Sequence, residues 1–207
     1  MTAPFRIGVL ADTHMPHSAR ALPAQVLQVF QGVDLILHAG DLDEPCALDA
    51  LKPLAPVIAV RGNLHLRFGT FSSPHLPKAV HLWIKNRYVV LNHGLPYFWR
   101  ASIGHLIDKV GLTDVDLNQW MIRDQQHAFP GADLVIFGHS HLALIERHGQ
   151  TLFVNPGTPI AQETKKRPSV ALIEIGINQI EAEIVEIREQ ALSRNGQMSK
   201  IIGQTRL

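Results

Sequence analysis

Cysteine is almost missing: Cys46 is the only one in 207 residues. An intramolecular disulfide is therefore excluded, and so is a zinc or iron–sulfur site built on thiolates. A surplus of charge is lacking as well. Nineteen basic residues stand against 18 acidic ones, a formal net charge of +1, which leaves no overall electrostatic footprint for duplex nucleic acid or an anionic membrane surface. No apolar run approaches the roughly 18 residues of a membrane span. Met1-Thr2-Ala3-Pro4 lacks the basic-then-apolar plan of a signal peptide, so a cytoplasmic location is expected. Internal repeats, linkers and low-complexity stretches are absent too. What remains is material for one core, 46% hydrophobic and 18% charged residues. The expectation is a single domain over residues 1–187 and a polar C-terminal tail over 188–207. One abundance stands out, and it is twelve histidines.

Hydrophobic spacing orders the chain. Phe5 to Leu10 suits a strand buried on both faces. Ala19 to Phe30 has apolar residues at helical intervals, with Ser18 placed to cap it. Asp34 to Leu37 is strand-like again, Pro45 opens a helix through Leu51, and Pro56 to Val60 is a third strand. That alternation is a βαβ plan, which calls for parallel strands with right-handed crossovers. Further on, Ala79 to Ile84 and Tyr88 to Leu91 read as a hairpin through Asn86-Arg87. Helical spacing follows between Pro96 and Pro130, then a buried strand from Ala132 to Phe137. Leu142 to Ile145, Thr151 to Val154, Val170 to Ile175 and Ile180 to Ile187 alternate as antiparallel strands do.

Polar residues punctuate this plan at one kind of place. Asp12 and His14, Asp41, Asn63, His93, and His139 with His141 each follow the end of an expected strand. In open α/β sheets ligands bind beyond the carboxyl ends of strands, so these five clusters can converge. Together they offer two Asp, one Asn and four His. Oxygen and imidazole donors without thiolate suit a pair of first-row transition metals, and four imidazoles argue against magnesium or calcium. Two metals about 3.5–4 Å apart are the usual apparatus for in-line displacement at phosphorus.

The order Asp12-x-His14, Gly40-Asp41, Gly62-Asn63, His93-Gly94, Gly138-His139-x-His141 resembles the calcineurin-like metallophosphoesterase superfamily. It is nearest to the small bacterial and archaeal phosphodiesterase branch, to which the retromer scaffold subunit is also similar. The likeness runs from residue 5 to about 187 and includes the turn Asn155-Pro156-Gly157. It implies an α/β fold, a four-layer α/β/β/α sandwich of two facing mixed sheets with a dinuclear site at one edge. It further implies that Asp12, His14 and His141 hold one divalent ion while Asn63, His93 and His139 hold the other. Asp41 would bridge the two together with a water or hydroxide that attacks phosphorus, making Asp41, Asn63 and His93 the catalytic set. Manganese is the first choice of metal, with nickel, zinc and iron as alternatives. The implied activity is hydrolysis of a small phosphodiester or phosphomonoester, with no membrane or nucleic-acid duplex as partner and a homo-oligomer left open. A protein–protein scaffold on the same fold is the alternative reading.

The chain departs from the superfamily in places. Where many members carry a histidine directly after the metal-binding Asn, this sequence has Leu64, with His65 one position later, and Leu95 replaces a frequent second histidine after His93-Gly94. Without a general acid at that position, good leaving groups should be favoured. Tyr97, Trp99, Arg100 and His105 could clamp phosphate or simply belong to surface helices. His17, His38, His65 and His105 stand close enough to the clusters to support the ligands, whereas His75, His81, His127 and His148 read as solvated. Lys165-Lys166-Arg167 reads as an exposed hairpin tip.

Overall fold

A computed structural model describes residues 3–62, 76–94, 117–164 and 166–188, together with the backbone of Gln204–Thr205. Eleven strands form two sheets among these residues. The first has the order β11-β10-β9-β1-β2-β3, built from β1 (Phe5–Leu10), β2 (Leu35–His38), β3 (Val57–Ala59), β9 (Ser169–Ile175), β10 (Ile180–Glu186) and β11 (Gln204–Thr205). The second has the order β4-β5-β6-β8-β7, from β4 (Ala79–Ile84), β5 (Arg87–Asn92), β6 (Leu134–Ile136), β7 (Leu144–His148) and β8 (Thr151–Asn155). Both sheets are mixed. β1, β2 and β3 run parallel, as the βαβ plan requires, and β9 to β11 extend the sheet antiparallel. In the second sheet β5, β6 and β8 are parallel, with β4 and β7 antiparallel at the edges.

Strand alternation decides the layers. Ile7 and Val9 of β1, Leu35 and Leu37 of β2, Val89 and Leu91 of β5, Leu134 and Ile136 of β6, and Ile173 and Ile175 of β9 point between the sheets and fill one apolar core. The intervening residues face outward onto helices. Leu10, Ile36 and Val170 pack on Val26 and Phe30 around α1 (Ala24–Val29) and on Ala47 and Leu51 of α2 (Cys46–Leu51). On the far side Val90, Val135 and Phe153 pack against Met121 and Ile122 of α3 (Leu117–Ala128). The result is the four-layer α/β/β/α sandwich. No helix among the described residues is long and apolar enough to cross a membrane.

Two local expectations need correction. The helix anticipated from Ala19 begins only at Ala24, and Ser18 caps nothing: its hydroxyl donates to the Glu163 carboxylate instead. Pro23 explains the delay, because it sits extended at φ −53°, ψ 132° and disfavours helical geometry in the residue before it. The hairpin turn between β4 and β5 is Lys85-Asn86, one residue earlier than expected. Both have positive φ, 47° and 63°, the two-residue turn whose twist matches the flanking strands. The segment 95–116, with Leu95, Tyr97, Trp99, Arg100 and His105, lies outside the described residues, as do Asn63, Leu64, His65, His75 and Lys165.

Candidate functional site

Because β1 and β2 are parallel in one sheet and β5 and β6 in the other, four polar loops leave the sandwich at the same edge. Two groups of potential ligands form there. Asp12, His14 and His141 bring one ligand atom each within 4.8 Å of one another, and so do Asp41, His93 and His139. These are six of the seven residues expected from the sequence; Asn63 falls outside the described residues. The groups adjoin through Asp41, whose Oδ2 lies 3.3 Å from His93 Nε2 and 3.9 Å from His14 Nε2.

The backbone here is unusual. Among the described residues seven non-glycine positions have positive φ, and five of them are Asp12, His14, Asp41, His139 and His141, at 45° to 74°. Asp and His tolerate the left-handed region better than most residues, yet five in one site signal a backbone bent to aim side chains. Hydrogen bonds between loops hold these bends. Asp12 N donates to Gly40 O at 2.9 Å and His14 N to Asp41 O at 3.0 Å, while Thr158 Oγ1 donates to Asp12 O at 2.8 Å. His139 N donates to the Asp12 carboxylate, 3.0 Å from Oδ2, across the two sheets. Glycines allow the close approach. A Cβ on Gly62 would lie 1.8 Å from Asp41 Oδ1, and one on Gly40, at φ +92°, would lie 2.6 Å from His93 Nδ1.

The imidazoles are oriented by their outer nitrogens. His93 Nδ1 donates to Ala39 O at 2.7 Å and His141 Nδ1 to Glu163 O at 2.6 Å, which leaves each Nε2 as the inward atom. His93 Nε2 is buried and has no hydrogen-bond partner among the described residues. His141 Nε2 and His14 Nε2 face each other at 3.4 Å, and His141 Nε2 is 3.6 Å from Asp12 Oδ1. Inward lone pairs and carboxylates at such separations need a proton or a cation between them. Imidazole with carboxylate fits a divalent transition ion, so the residues present fit the metal implied by the sequence.

Without a cation, charges settle among the side chains. Burial pushes the Asp12 carboxyl up, and the nearby histidines offset this only in part. Burial acts the same way on Asp41, but His93, His14 and His139 outweigh it and hold that carboxyl well below the usual range. For His93 burial lowers the value, yet Asp41 and then Asp12 push it up to about 9. For His14 burial is outweighed by Asp43, Asp41, Asp12 and Glu163, and its value rises. His38 differs. Burial, reinforced by His93, pushes it down to about 3, so it stays neutral and ties the loops together. Its Nδ1 accepts from Gly40 N at 3.2 Å and its Nε2 lies 3.1 Å from Thr13 Oγ1.

Several supporting residues had no signal in the sequence. Asp43 and Glu163 flank His14, with Asp43 Oδ1 3.7 Å from Nδ1 and Glu163 Oε2 3.8 Å from Nε2. Asn118 of α3 accepts from Ser140 Oγ at 2.6 Å and from Asn155 Nδ2 at 3.2 Å. Asn155 also donates to Gly138 O at 3.1 Å, which gives the Asn155-Pro156-Gly157 turn a part in holding the His139–His141 loop. His17, which the sequence did place beside the clusters, pairs with Asp43. Of the histidines expected to be solvated, His81 meets the Tyr88 hydroxyl at 2.8 Å, and His148 is partly buried against Glu146 at 2.7 Å.

Comparison with known proteins agrees with this geometry. The sequence model of the calcineurin-like phosphoesterase superfamily domain matches residues 5–177. A protein of Methanothermobacter thermautotrophicus is 34% identical over 179 residues, covering 86% of this chain and 91% of the relative. One of Methanocaldococcus jannaschii is 30% identical over 184 residues, covering 88% and 82%. Both bear the name "Probable metallophosphoesterase". Among solved structures, Vps29 of Chaetomium thermophilum superposes with a TM-score of 0.69 at 18% identity, over 97% of each chain. Vps29 of Entamoeba histolytica complexed with Zn2+ does so with a TM-score of 0.65 at 21% identity, over 98% of each. At such identities these two speak for the fold alone. With the family match over most of its length, the chain belongs to the calcineurin-like phosphoesterase superfamily.

Proposed function

We propose that the protein is a metal-dependent phosphoesterase that hydrolyses a small phosphodiester or phosphomonoester at a pair of divalent transition ions. The observation that supports this most is the meeting of the two ligand groups at Asp41. In this reading Asp12, His14 and His141 hold one ion, Asn63, His93 and His139 hold the other, and Asp41 serves both. Manganese is the first candidate, ahead of nickel, zinc and iron. When bound, such a pair polarises the phosphoryl oxygens and acidifies water at neutral pH.

The chain's own residues prepare that chemistry. Asp41, with Oδ2 3.3 Å from His93 Nε2 and 3.9 Å from His14 Nε2, would offer one carboxylate to both ions and offset their repulsion. Asn63 would contribute a neutral amide and add no further charge. His93, tied to Ala39 O through Nδ1, presents Nε2 in the unprotonated form a ligand requires, once its proton has left. A scaffold has no need of converging ligand sets, and the convergence of six of the seven expected ligands among the described residues favours catalysis.

The test is turnover after metal removal and add-back of manganese, nickel, zinc and magnesium, with a chromogenic diester and a chromogenic monoester. Turnover of at least one ester with two ions per chain is expected. Loading that never exceeds one ion per chain would sink the dinuclear reading. Two ions without turnover of either ester would favour a scaffold.

A further inference from the structure

In what the described residues show, the two ligand groups are not equally supported. On the His93 side the orienting acceptor is a neutral backbone carbonyl, Ala39 O. On the His14 side two carboxylates outside the expected ligand set close in. Asp43 is 3% exposed, its Oδ1 has no hydrogen-bond partner among the described residues, and that atom lies 3.7 Å from His14 Nδ1. Its other oxygen is held by His17 Nδ1. Glu163 is fixed by the 3-10 turn Ala161–Glu163 and by the Ser18 hydroxyl. Its Oε2 stands 3.8 Å from His14 Nε2, and its backbone carbonyl holds His141.

We infer that Asp43 and Glu163 make the Asp12–His14–His141 group the tighter of two unequal metal sites, loaded first, with both acting as positioning residues. The inference rests on the proposed metal dependence and goes beyond it in ranking the sites. Asp43 facing Nδ1 favours the His14 tautomer and ring pose that turn Nε2 inward, and it makes the imidazole a stronger donor. Losing such an outer partner typically weakens metal affinity about 10–100-fold. Glu163 adds a negative charge 3.8 Å from both His14 Nε2 and His141 Nδ1.

The experiment is zinc titration of the metal-stripped full-length protein, followed by calorimetry and by the ring-nitrogen NMR shifts of the histidines. Two resolved binding phases are expected, with the first equivalent shifting His14 and His141 before His93 and His139. Asp43→Asn should weaken the first phase about 10-fold or more and leave the second nearly unchanged, which a general loss of structure would not do. Glu163→Gln lies in a partly exposed turn and keeps its backbone acceptor, so it provides a second variant should Asp43→Asn fold poorly, and it should weaken the first phase by a smaller factor. Two phases of equal affinity, earlier shifts of His93 and His139, or an unchanged first phase in both variants would overturn the inference while leaving the phosphoesterase reading intact. A wild-type protein that takes up no divalent ion would overturn both.

Discussion

The space between the two sheets and the edge where their parallel strands end differ in almost every physical respect. Between the sheets, β-branched and Leu side chains alternate along ordinary extended strands, and residues such as Ile7, Ile136 and Ile173 are wholly buried. At the edge, Asp12, Asp41 and Asp43 are almost as deeply buried, carry charge, and stand in loops where the left-handed backbone is concentrated. The interior supplies hydrophobic free energy of roughly 1.5–3 kcal/mol for each large side chain. The edge consumes some of it, through left-handed backbone and buried charge that only a cation or a proton can balance. Stability and chemistry are thus lodged in separate layers of one fold, and substitutions in the two regions should fail in different ways.

The sharpest break in that comparison is Asp41→Asn. If Asp41 serves both ions as proposed, a neutral amide there would weaken both, so activity at saturating metal should drop by more than the roughly 100-fold upper range of an outer-shell partner, and by more than in Asn63→Ala. Thermal unfolding of the metal-free variant should show a folded protein. Retention of most of the wild-type rate would exclude the bridging role of Asp41. Ile136→Ala probes the other region. It should cost about 2–5 kcal/mol in denaturant unfolding, with unchanged turnover per folded, metal-loaded molecule.

Gly62→Ala tests how tightly the edge is assembled. The added methyl would collide with both the side chain and the backbone nitrogen of Asp41, so metal affinity should fall about 10-fold or more, read by titration, with a modest change in melting temperature. Normal affinity would show that the loop after β3 yields freely.

The pH dependence of the metal-free protein separates the regions again. Folded His93 is raised from 6.5 to about 9 by its pairing with Asp41, so the pair's contribution is complete below pH 6.5 and is lost as pH rises through about 9. The melting temperature of chelator-treated protein should fall by several degrees over that window. Metal-loaded protein, in which His93 is already deprotonated, should not show the fall. The smallest expected effect is that of His65→Ala. In an extended segment, a residue one step past the position where many family members carry the acid would point the other way, so similar small losses on an aryl and an alkyl diester are expected. A loss near 100-fold confined to the alkyl ester would identify His65 as the general acid.

Much of this molecule is written locally. Short apolar runs marked β1, β2, β5 and β6, and apolar alternation marked β9, within a residue or two, because each strand needs only its own neighbours and a buried face to declare itself. The five ordered polar clusters carried the family, since motif order survives wherever the chain later goes. Local reading failed where geometry overrode composition. Pro23 delayed α1, and Lys85 rather than Arg87 entered the turn because two left-handed residues were needed there.

The sequence by itself determined which residues have metal-binding chemistry and that each follows a strand. Only the tertiary structure decided that His14 and His141, 127 positions apart, bring their ring nitrogens to 3.4 Å. It also recruited Asp43 and Glu163 to the same histidine, the second from 149 positions away. The physical reason is that strand pattern and ligand type are short-range properties. Which carboxylate meets which imidazole depends on sheet order, on parallel pairing at the common edge, and on left-handed bends held by hydrogen bonds from the opposite sheet.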